Sequence, residues 1–322
     1  MEEKLILGIE CTCDDSSVAI YSIKEKRILG ESHYSSSKEH TKFGGIVPEI
    51  AARAHERHLI PLIENCLNKT TLKLSDINYI AYSACPGLES SLLVGKMIAT
   101  TLSISLKKKL IPVNHLEAHV YSIGLTKEIK FPSLSLLISG KNTIIFLLKD
   151  RNNIEELEKC QDCALGESYD KIARIMGFEY PGGPQLEKYY RKRINLEGFY
   201  LTKRSRNTSQ LSLNFSGLIT SSSRIWRKLL ETPTYSLEEK KEILSTSFQE
   251  EVLLILYLKL KYWAKRFNLS EIYCSGGVSR NLVLKEQLTN KLASEGLNVY
   301  FVDEKFSEDN GAMIAYRASL LL

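Results

Sequence analysis

The chain has 322 residues, of which 43% are hydrophobic and 25% are charged, and its net charge is +5. These values exclude a disordered or collagen-like chain, and the length favours two domains over one. Charged residues interrupt each apolar stretch before it reaches the roughly 18 residues of a membrane helix. The seven cysteines are scattered, and the chain starts without a signal or transit pattern, so we expect a cytoplasmic protein with reduced thiols.

The first half of the chain is typical of three strands followed by alternating helices and strands. Segment 4–22 contains two β-rich runs around the polar turn Cys13–Ser16, which is a hairpin pattern, and a third strand is expected near Ile28–His33. Helical periodicity then alternates with β-rich runs, which predicts the order β-β-β-α-β-α-β-α. The predicted elements after the third strand are Val47–Leu67, Ile77–Ala84, Glu89–Leu106 and Leu110–Val113.

The second half repeats this order of elements without repeating the residues. PSLSLLIS and TIIFLLKD flank the polar turn Gly140–Asn142, which predicts a second hairpin. Two halves that each open on a hairpin favour an α/β, actin-like (sugar-kinase-type) fold with two lobes and a cleft between them. We place the lobes at 1–112 and 113–322, and the last helix can pack back on the N-terminal lobe. The later elements are helical patterns at Tyr169–Met176, Lys240–Phe267 and Ser279–Ser294 and strands at Ile272–Ser275 and Val299–Val302.

Two of the six histidines, His115 and His119, stand four residues apart after a predicted strand. On a helix these positions share one face, and imidazoles at this spacing form a common clamp for a divalent metal. Glu117 would point away from that face, and the zinc protease pattern, with a glutamate directly after the first histidine, is absent. Two exposed histidines on a polar helix are the alternative explanation.

A carboxylate would complete such a site, and Asp309 stands just before the predicted last helix. Two histidines and one carboxylate leave open positions on iron or a similar ion. Capping of the last helix would equally explain Asp309 without a metal, and its spacing does not connect it with the histidines.

Two glycine turns are candidates for ligand binding. Tyr180–Pro184 and Gly276–Asn281 can bring backbone N–H groups close to a phosphate or a nucleotide. Ordinary turns, with Ser279 as the cap of the following helix, would look similar.

The positive charge is concentrated in one window, residues 188–206, which holds seven cationic residues and one acidic residue, Glu197. Aromatic residues lie between them, and basic side chains beside aromatic rings are typical of RNA-binding surfaces. A solvated helix face is the alternative. The cationic residues are Lys188, Arg191, Lys192, Arg193, Lys203, Arg204 and Arg206.

Eight ordered segments together resemble the TsaD/Gcp family of tRNA threonylcarbamoyladenosine transferases, in its bacterial and mitochondrial branch. Each segment is weak alone, but together they span nearly the whole chain. The segments are LGIECTCDDSSVAI, HTKFGGIVPEIAARAH, PGLESSLLVG, NHLEAH, GESYDKIARIMGFEYPGGP, NFSGL, GGVSRN and SEDNGAMIAY.

The resemblance implies an actin-like fold and one divalent metal ion per subunit on His115, His119 and Asp309, with Fe²⁺ favoured and Zn²⁺ as the alternative. It implies a catalytic role for the turn that carries Asp14 and Asp15. The residues that it implies for substrate binding are Leu137, Ile138, Ser139, Gly140, Lys141, Asp170, Gly183, Glu187 and Asn281.

The implied reaction transfers the threonylcarbamoyl group of threonylcarbamoyl-AMP to the exocyclic amine of the adenine at tRNA position 37, in tRNAs that read codons starting with A. AMP is released. The implied partners are tRNA, a small non-catalytic paralogue of the TsaB type and an ATPase of the TsaE type, with no membrane involved.

The sequence departs from the family pattern at three places. The family's Ser-Gly-Gly-His-Thr is here Ser139–Thr143, with Lys141 and Asn142 in place of glycine and histidine, and Ile219 and Cys163 replace a lysine and an aspartate. The altered loop favours one alternative, a non-catalytic scaffold of a tRNA-modification complex. A second alternative is a nucleotide-dependent ATPase or kinase-like relative, which would give the histidine pair no role.

Overall fold

The computed structural model describes residues 3–40, 43, 45–192, 194–201 and 212–322. The chain forms two compact units, the first from Met1–Ile129 with Asp303–Leu322 and the second from Lys130–Val302. This division falls later than the predicted 112/113 boundary, because the segment after residue 113 packs against the returning C-terminal helix.

The first unit is built on one mixed sheet. Its strands are β1 (Leu5–Glu10), β2 (Asp15–Ser22), β3 (Arg27–Ser35), β4 (Tyr79–Cys85) and β5 (Lys109–Asn114). Their order is β3-β2-β1-β4-β5, with β1 antiparallel to β2 and parallel to β4. The described helices are α1 (Ser37–His40), α2 (Pro48–Thr70), α3 (Glu89–Leu106), α4 (His115–Tyr121) and α10 (Gly311–Leu320), which takes its number from chain order. The predicted first hairpin, third strand and alternating elements are confirmed, whereas α1 was not predicted.

Helices cover both faces of this sheet, so β1 is buried on both sides. Side chains alternate across a strand, and Leu7 and Ile9 enter the core beneath α2 and α3. Ile6 points the other way and packs with Met313 and Ile314 of α10. The last helix is therefore part of the N-terminal unit, as the sequence allowed.

Two glycines allow α10 to lie close to the hairpin. A Cβ atom on Gly8 of β1 would meet the carbonyl oxygen of Gly311 and lie 2.6 Å from the nitrogen of Ala315. A Cβ atom on Gly311 would lie 2.6 Å from the nitrogen of Ala19. The Gly311 N–H donates to Ser17 Oγ at 3.0 Å, which fixes the start of the helix on β2.

We predict that Gly8→Ala lowers the free energy of unfolding by about 3 kcal/mol, because backbone atoms would have to separate. Urea denaturation followed by circular dichroism measures this loss. Gly45→Ala is the matched control in the same unit, because a Cβ atom there meets nothing within 4 Å. Wild-type stability of Gly8→Ala would contradict the close approach.

The second unit also contains a five-stranded sheet. Its strands are β6 (Ser133–Ile138), β7 (Thr143–Leu148), β8 (Ile154–Lys159), β9 (Glu271–Ser275) and β10 (Asn298–Phe301), in the order β10-β9-β6-β7-β8. Its described helices are α5 (Leu165–Ile175), α6 (Gly182–Lys188), α7 (Ser216–Glu231), α8 (Leu237–Phe267) and α9 (Leu282–Ala293). The predicted hairpin β6-β7 is confirmed, whereas β8, α6 and α7 were not predicted.

The start of α9 differs from the expectation. Asn281 caps this helix by accepting a hydrogen bond from Leu284 N–H at 2.9 Å, so α9 begins after residue 281 and Ser279 is not its cap. Residues 277–280 form a 3₁₀ turn instead. Among the described helices, none is both long and apolar enough to cross a membrane.

Candidate functional site

The histidine pair lies on α4, directly after β5. Asn114 caps this helix, since its side-chain oxygen accepts from the N–H groups of Leu116 and Glu117 at 2.9 and 3.1 Å. His115 and His119 are 9% and 3% exposed, and their ring centroids are 4.7 Å apart. The alternative of two exposed histidines on a polar helix is therefore wrong.

Asp309 is brought to these histidines from the other end of the chain. Its Oδ1 lies 2.9 Å from His119 Nε2 and 3.6 Å from His115 Nε2. Asn310 caps α10 by accepting from Met313 N–H at 2.8 Å, so the capping explanation for Asp309 is wrong. The neighbouring asparagine performs that role, and the carboxylate turns toward α4.

This cluster fits one divalent metal ion. One ligand atom from each of His115, His119 and Asp309 lies within 4.8 Å of the others. Ligands bound at about 2.1 Å from an ion are roughly 3 to 3.5 Å apart, which is close to the 2.9 and 3.6 Å between Asp309 Oδ1 and the two Nε2 atoms, and imidazole and carboxylate are suitable donors. Among the described residues, no other group of three or more histidine, cysteine or acidic side chains has this arrangement.

An ion pair on the opposite side of α4 holds this helix against α10, the helix that follows Asp309. Arg317 of α10 donates from Nε and Nη2 to Glu117 Oε2 at 3.0 and 2.8 Å, and its guanidinium lies 4.4 Å from the ring centroid of Tyr121. Glu117 thus points away from the histidines, as predicted. The pair fixes α4 against the helix that follows Asp309.

We predict that Glu117→Ala lowers the free energy of unfolding by about 2 kcal/mol, because it removes a carboxylate partner from a buried guanidinium. Arg317 is only 3% exposed at its side chain. Chemical denaturation of the metal-free protein measures the effect.

The control is Glu49→Ala, which breaks an exposed ion pair between Glu49 and Arg53. An exposed pair of this kind contributes roughly 0 to 1 kcal/mol, so the control should remain close to wild type. Equal losses of unfolding free energy in the two variants would show that the buried Arg317–Glu117 pair contributes no more stability than an exposed pair.

The β1-β2 turn lies next to this cluster. Burial raises the pKa of the Asp14 carboxyl, and the negative charges of Asp15 and, more weakly, Asp309 raise it further. A hydrogen bond with Asp15 raises the pKa of His33. A second histidine, His55, contacts Ser16 Oγ through Nδ1 at 2.7 Å and the Cys13 carbonyl through Nε2 at 3.0 Å, which fixes the turn on α2.

Sequence reasoning missed three residues that support this region: Glu10 and Thr12, whose side chains contact His115 Nδ1 at 3.1 and 3.3 Å, and His55. A signal existed for Glu10, because it is the charged residue that ends the otherwise uncharged strand LILGIE. For His55 the sequence offers only a position on the buried face of a helix.

The second unit brings together the loops that the resemblance implies for ligand binding. The β6-β7 turn packs on the start of α5, where Gly166 N–H donates to Ser139 O at 3.2 Å. Gly276 is also close to this turn, since a Cβ atom there would meet Ile138 O. Gly140 and Gly183 have open space where a side chain would stand, which leaves room for a ligand.

Short hydrogen bonds also position the carboxylates of Asp170 and Glu187, the second of them next to the side-chain amide of Asn281. Asp170 accepts from Gly182 N–H at 2.8 Å, and Glu187 accepts from Leu282 N–H at 3.1 Å, next to the cap Asn281. Burial is the main cause that raises the pKa of both carboxyls.

The other implied residues of this group differ in exposure. The side chains of Leu137 and Ile138 are fully buried in the core, whereas Gly140 and Lys141 are exposed at the turn and Ser139 is half-buried. Direct side-chain contact with a ligand is therefore open to Ser139 and Lys141 but not to the two apolar residues.

The basic window is described only in part. Arg193, Lys203, Arg204 and Arg206 lie outside the described residues. Of the others, Lys188 is exposed, Arg191 pairs with Glu242 at 2.8 Å and Lys192 with Glu286 at 3.6 Å. Its aromatic residues partly serve packing, because Tyr189 stacks on Phe178 and Phe199 is 7% exposed.

Solved structures with low sequence identity share the fold. Full-length HypF in its phosphate- and nucleotide-bound form has a TM-score of 0.65 and 14% identity, and the match covers 99% of this chain and 55% of that chain. Component A of (R)-2-hydroxyglutaryl-CoA dehydratase from Acidaminococcus fermentans has a TM-score of 0.55 and 14% identity, over 99% and 98%. These likenesses confirm the predicted actin-like α/β fold.

Fold and site together define an actin-like α/β protein with a candidate metal centre of two histidines and an aspartate. The profile of the TsaD family, described as tRNA N6-adenosine threonylcarbamoyltransferase, matches residues 27–316. A relative of that name from Sulfurihydrogenibium sp. (strain YO3AOP1) is 38% identical over 312 residues, which is 97% of this chain and 89% of the relative. This chain belongs to the TsaD family, whose members are acyltransferases that modify tRNA.

Proposed function

We propose that this chain transfers the threonylcarbamoyl group from threonylcarbamoyl-AMP to N6 of the adenine at tRNA position 37, with a divalent metal ion held by His115, His119 and Asp309. One observation carries the metal assignment: three potential ligands from segments about 190 residues apart converge within 4.8 Å. Fe²⁺ is the favoured ion because two histidines and one carboxylate are its common ligand set, and Zn²⁺ is the alternative.

In this reaction the N6–carbon bond forms, the bond from the carbonyl carbon to the phosphate oxygen breaks, AMP leaves and the amine loses a proton. The bound metal would supply Lewis acidity toward the transferred group. We assign proton transfer to the turn of Asp14 and Asp15, because a carboxylate whose pKa is raised by burial is a better proton acceptor than an ordinary one.

We assign recognition of threonylcarbamoyl-AMP to the second unit. The turn Ser139–Lys141 contacts the start of α5, Gly183 lies in the first turn of α6, and the cap Asn281 stands beside the hydrogen bond from Leu282 N–H to Glu187 of α6. Lys141 offers a positive charge for the phosphate, while Asp170 and Glu187 offer acceptors for hydroxyl groups. Leu137 and Ile138 would support the turn from within the sheet.

The partners and location follow from the family resemblance. We propose that the chain works in the cytoplasm with tRNA, a small TsaB-like paralogue and a TsaE-like ATPase.

The metal assignment is tested with the double variant His115→Ala and His119→Ala. We expect it to lose bound metal and to abolish tRNA modification, because one remaining carboxylate cannot hold the ion. Metal content is measured by elemental mass spectrometry. Modified nucleosides are measured by mass spectrometry of tRNA from a strain depleted of its own transferase and complemented with each variant.

The control is His58→Ala, which removes a histidine that stacks on Tyr34 outside the cluster. It should keep both metal and modification. Retained modification in the double variant would overturn the assignment. If the wild-type chain binds metal but restores no modified nucleoside, the scaffold alternative is favoured. Steady phosphate release from ATP without nucleoside modification would favour an ATPase.

The basic window is tested by charge reversal at Lys192, Arg193, Lys203 and Arg204. We expect the four Glu substitutions to weaken tRNA binding and to reduce the salt slope by about 1 for each phosphate that the variant no longer neutralises. Filter binding over a range of salt concentrations measures both quantities.

A matched control reverses four exposed lysines of the first unit and changes the net charge equally. These are Lys24, Lys26, Lys107 and Lys109. Similar losses in both sets would mean that total charge, and not this window, attracts the tRNA.

A further inference from the structure

Glu10 is a buried carboxylate in direct contact with a candidate metal ligand. It ends β1 and is 0% exposed. Its Oε1 accepts from Thr12 N–H at 2.7 Å, and its Oε2 lies 3.1 Å from His115 Nδ1. Both oxygens are therefore engaged by groups at the site, although no part of the proposed reaction uses this residue.

The charge of Glu10 requires compensation. Burying a carboxylate without a positive partner is costly, and buried charges are normally paired or lie near a metal. Among the described residues, no lysine or arginine forms an ion pair with Glu10, and the ionisable side chain that it contacts is the imidazole of His115. A cation bound through that imidazole would supply the missing positive charge.

The hydrogen bond also selects one form of His115. An ionised carboxylate only accepts hydrogen bonds, so the proton of this contact lies on Nδ1. The lone pair of the neutral ring is then on Nε2, the nitrogen that lies 3.6 Å from Asp309 Oδ1. His119 differs, because its buried Nδ1 has no hydrogen-bond partner among the described residues.

We propose that Glu10 is a positioning residue of the metal centre, which holds the His115 ring with its proton on Nδ1 and its Nε2 lone pair toward the ion. The inference rests on the proposed metal site and deepens it. Carboxylates behind metal-bound histidines orient the ring and raise its basicity, and their loss weakens metal binding about 10- to 100-fold.

The decisive variant is Glu10→Gln, which keeps the shape of the side chain. Glutamine has one accepting oxygen, whereas Glu10 accepts through both of its oxygens, so its NH₂ group must face either Thr12 N–H or His115 Nδ1. In the first case two donors oppose each other, and in the second the ring proton moves to Nε2. The second arrangement directly opposes metal binding, and both remove the negative charge that raises the basicity of the ring.

The experiment titrates metal-free protein with Zn²⁺ in competition with a chromophoric chelator. We expect Glu10→Gln to bind Zn²⁺ about 10- to 100-fold more weakly than wild type. The control is Glu271→Gln, which makes the same substitution at a buried carboxylate of the second unit, paired with Lys130, and should keep wild-type affinity. Unchanged affinity in Glu10→Gln would overturn the proposal, as would an equal loss in both variants.

A second measurement uses the wild-type protein, so its result does not depend on whether a variant folds. In the metal-free wild-type protein, ¹⁵N chemical shifts of labelled histidine report which ring nitrogen carries the proton. We expect Nδ1 for His115, and a proton on Nε2 would overturn the role of Glu10. If wild type binds no Zn²⁺ yet shows the Nδ1 proton, the proposed metal centre fails while the Glu10–His115 contact is upheld.

Discussion

The candidate metal centre depends on the close packing of the last helix against the first hairpin. Gly8 leaves no space for a side chain between β1 and α10, and Gly311 leaves none between α10 and β2. Because α10 begins two residues after Asp309, this contact determines where that carboxylate lies. The 3.0 Å hydrogen bond from Gly311 N–H to Ser17 Oγ fixes the same junction from the side of β2.

Charge compensation fixes the position of α4 in this unit. One side of the helix carries the imidazoles beside Glu10 and Asp309, and the other side carries Glu117 beside Arg317. In an interior of low dielectric constant, an unpaired charge costs several kcal/mol, so each carboxylate constrains the position of its partner. The helix is short, and these contacts, together with the Asn114 cap, replace the stability that length would give.

The two units divide the proposed functions between them. The ligands for the metal and the paired aspartates belong to the first unit, whereas the glycine-containing loops proposed for nucleotide recognition belong to the second. In the second unit the loops meet because β6 and β9 are neighbouring parallel strands, so the turn after β6 and the glycines after β9 leave the sheet at one edge. This placement is usual for ligand loops in α/β sheets.

The sequence by itself determined the fold class, both hairpins and most of the longer elements, because apolar periodicity reports which face of a helix or strand is buried. It missed β8, whose exposed and acidic IEELEK lacks an apolar face, and the helices α6 and α7, where Gly182 and Gly217 and polar residues weaken the pattern.

The histidine pair was visible from its spacing, and the family motifs joined it to Asp309. Tertiary structure alone decided that the histidines are buried, that Asn310 and not Asp309 caps α10, and that Glu10 stands behind His115. Most of those facts depend on contacts between residues more than 100 positions apart, and local periodicity carries no information about such contacts.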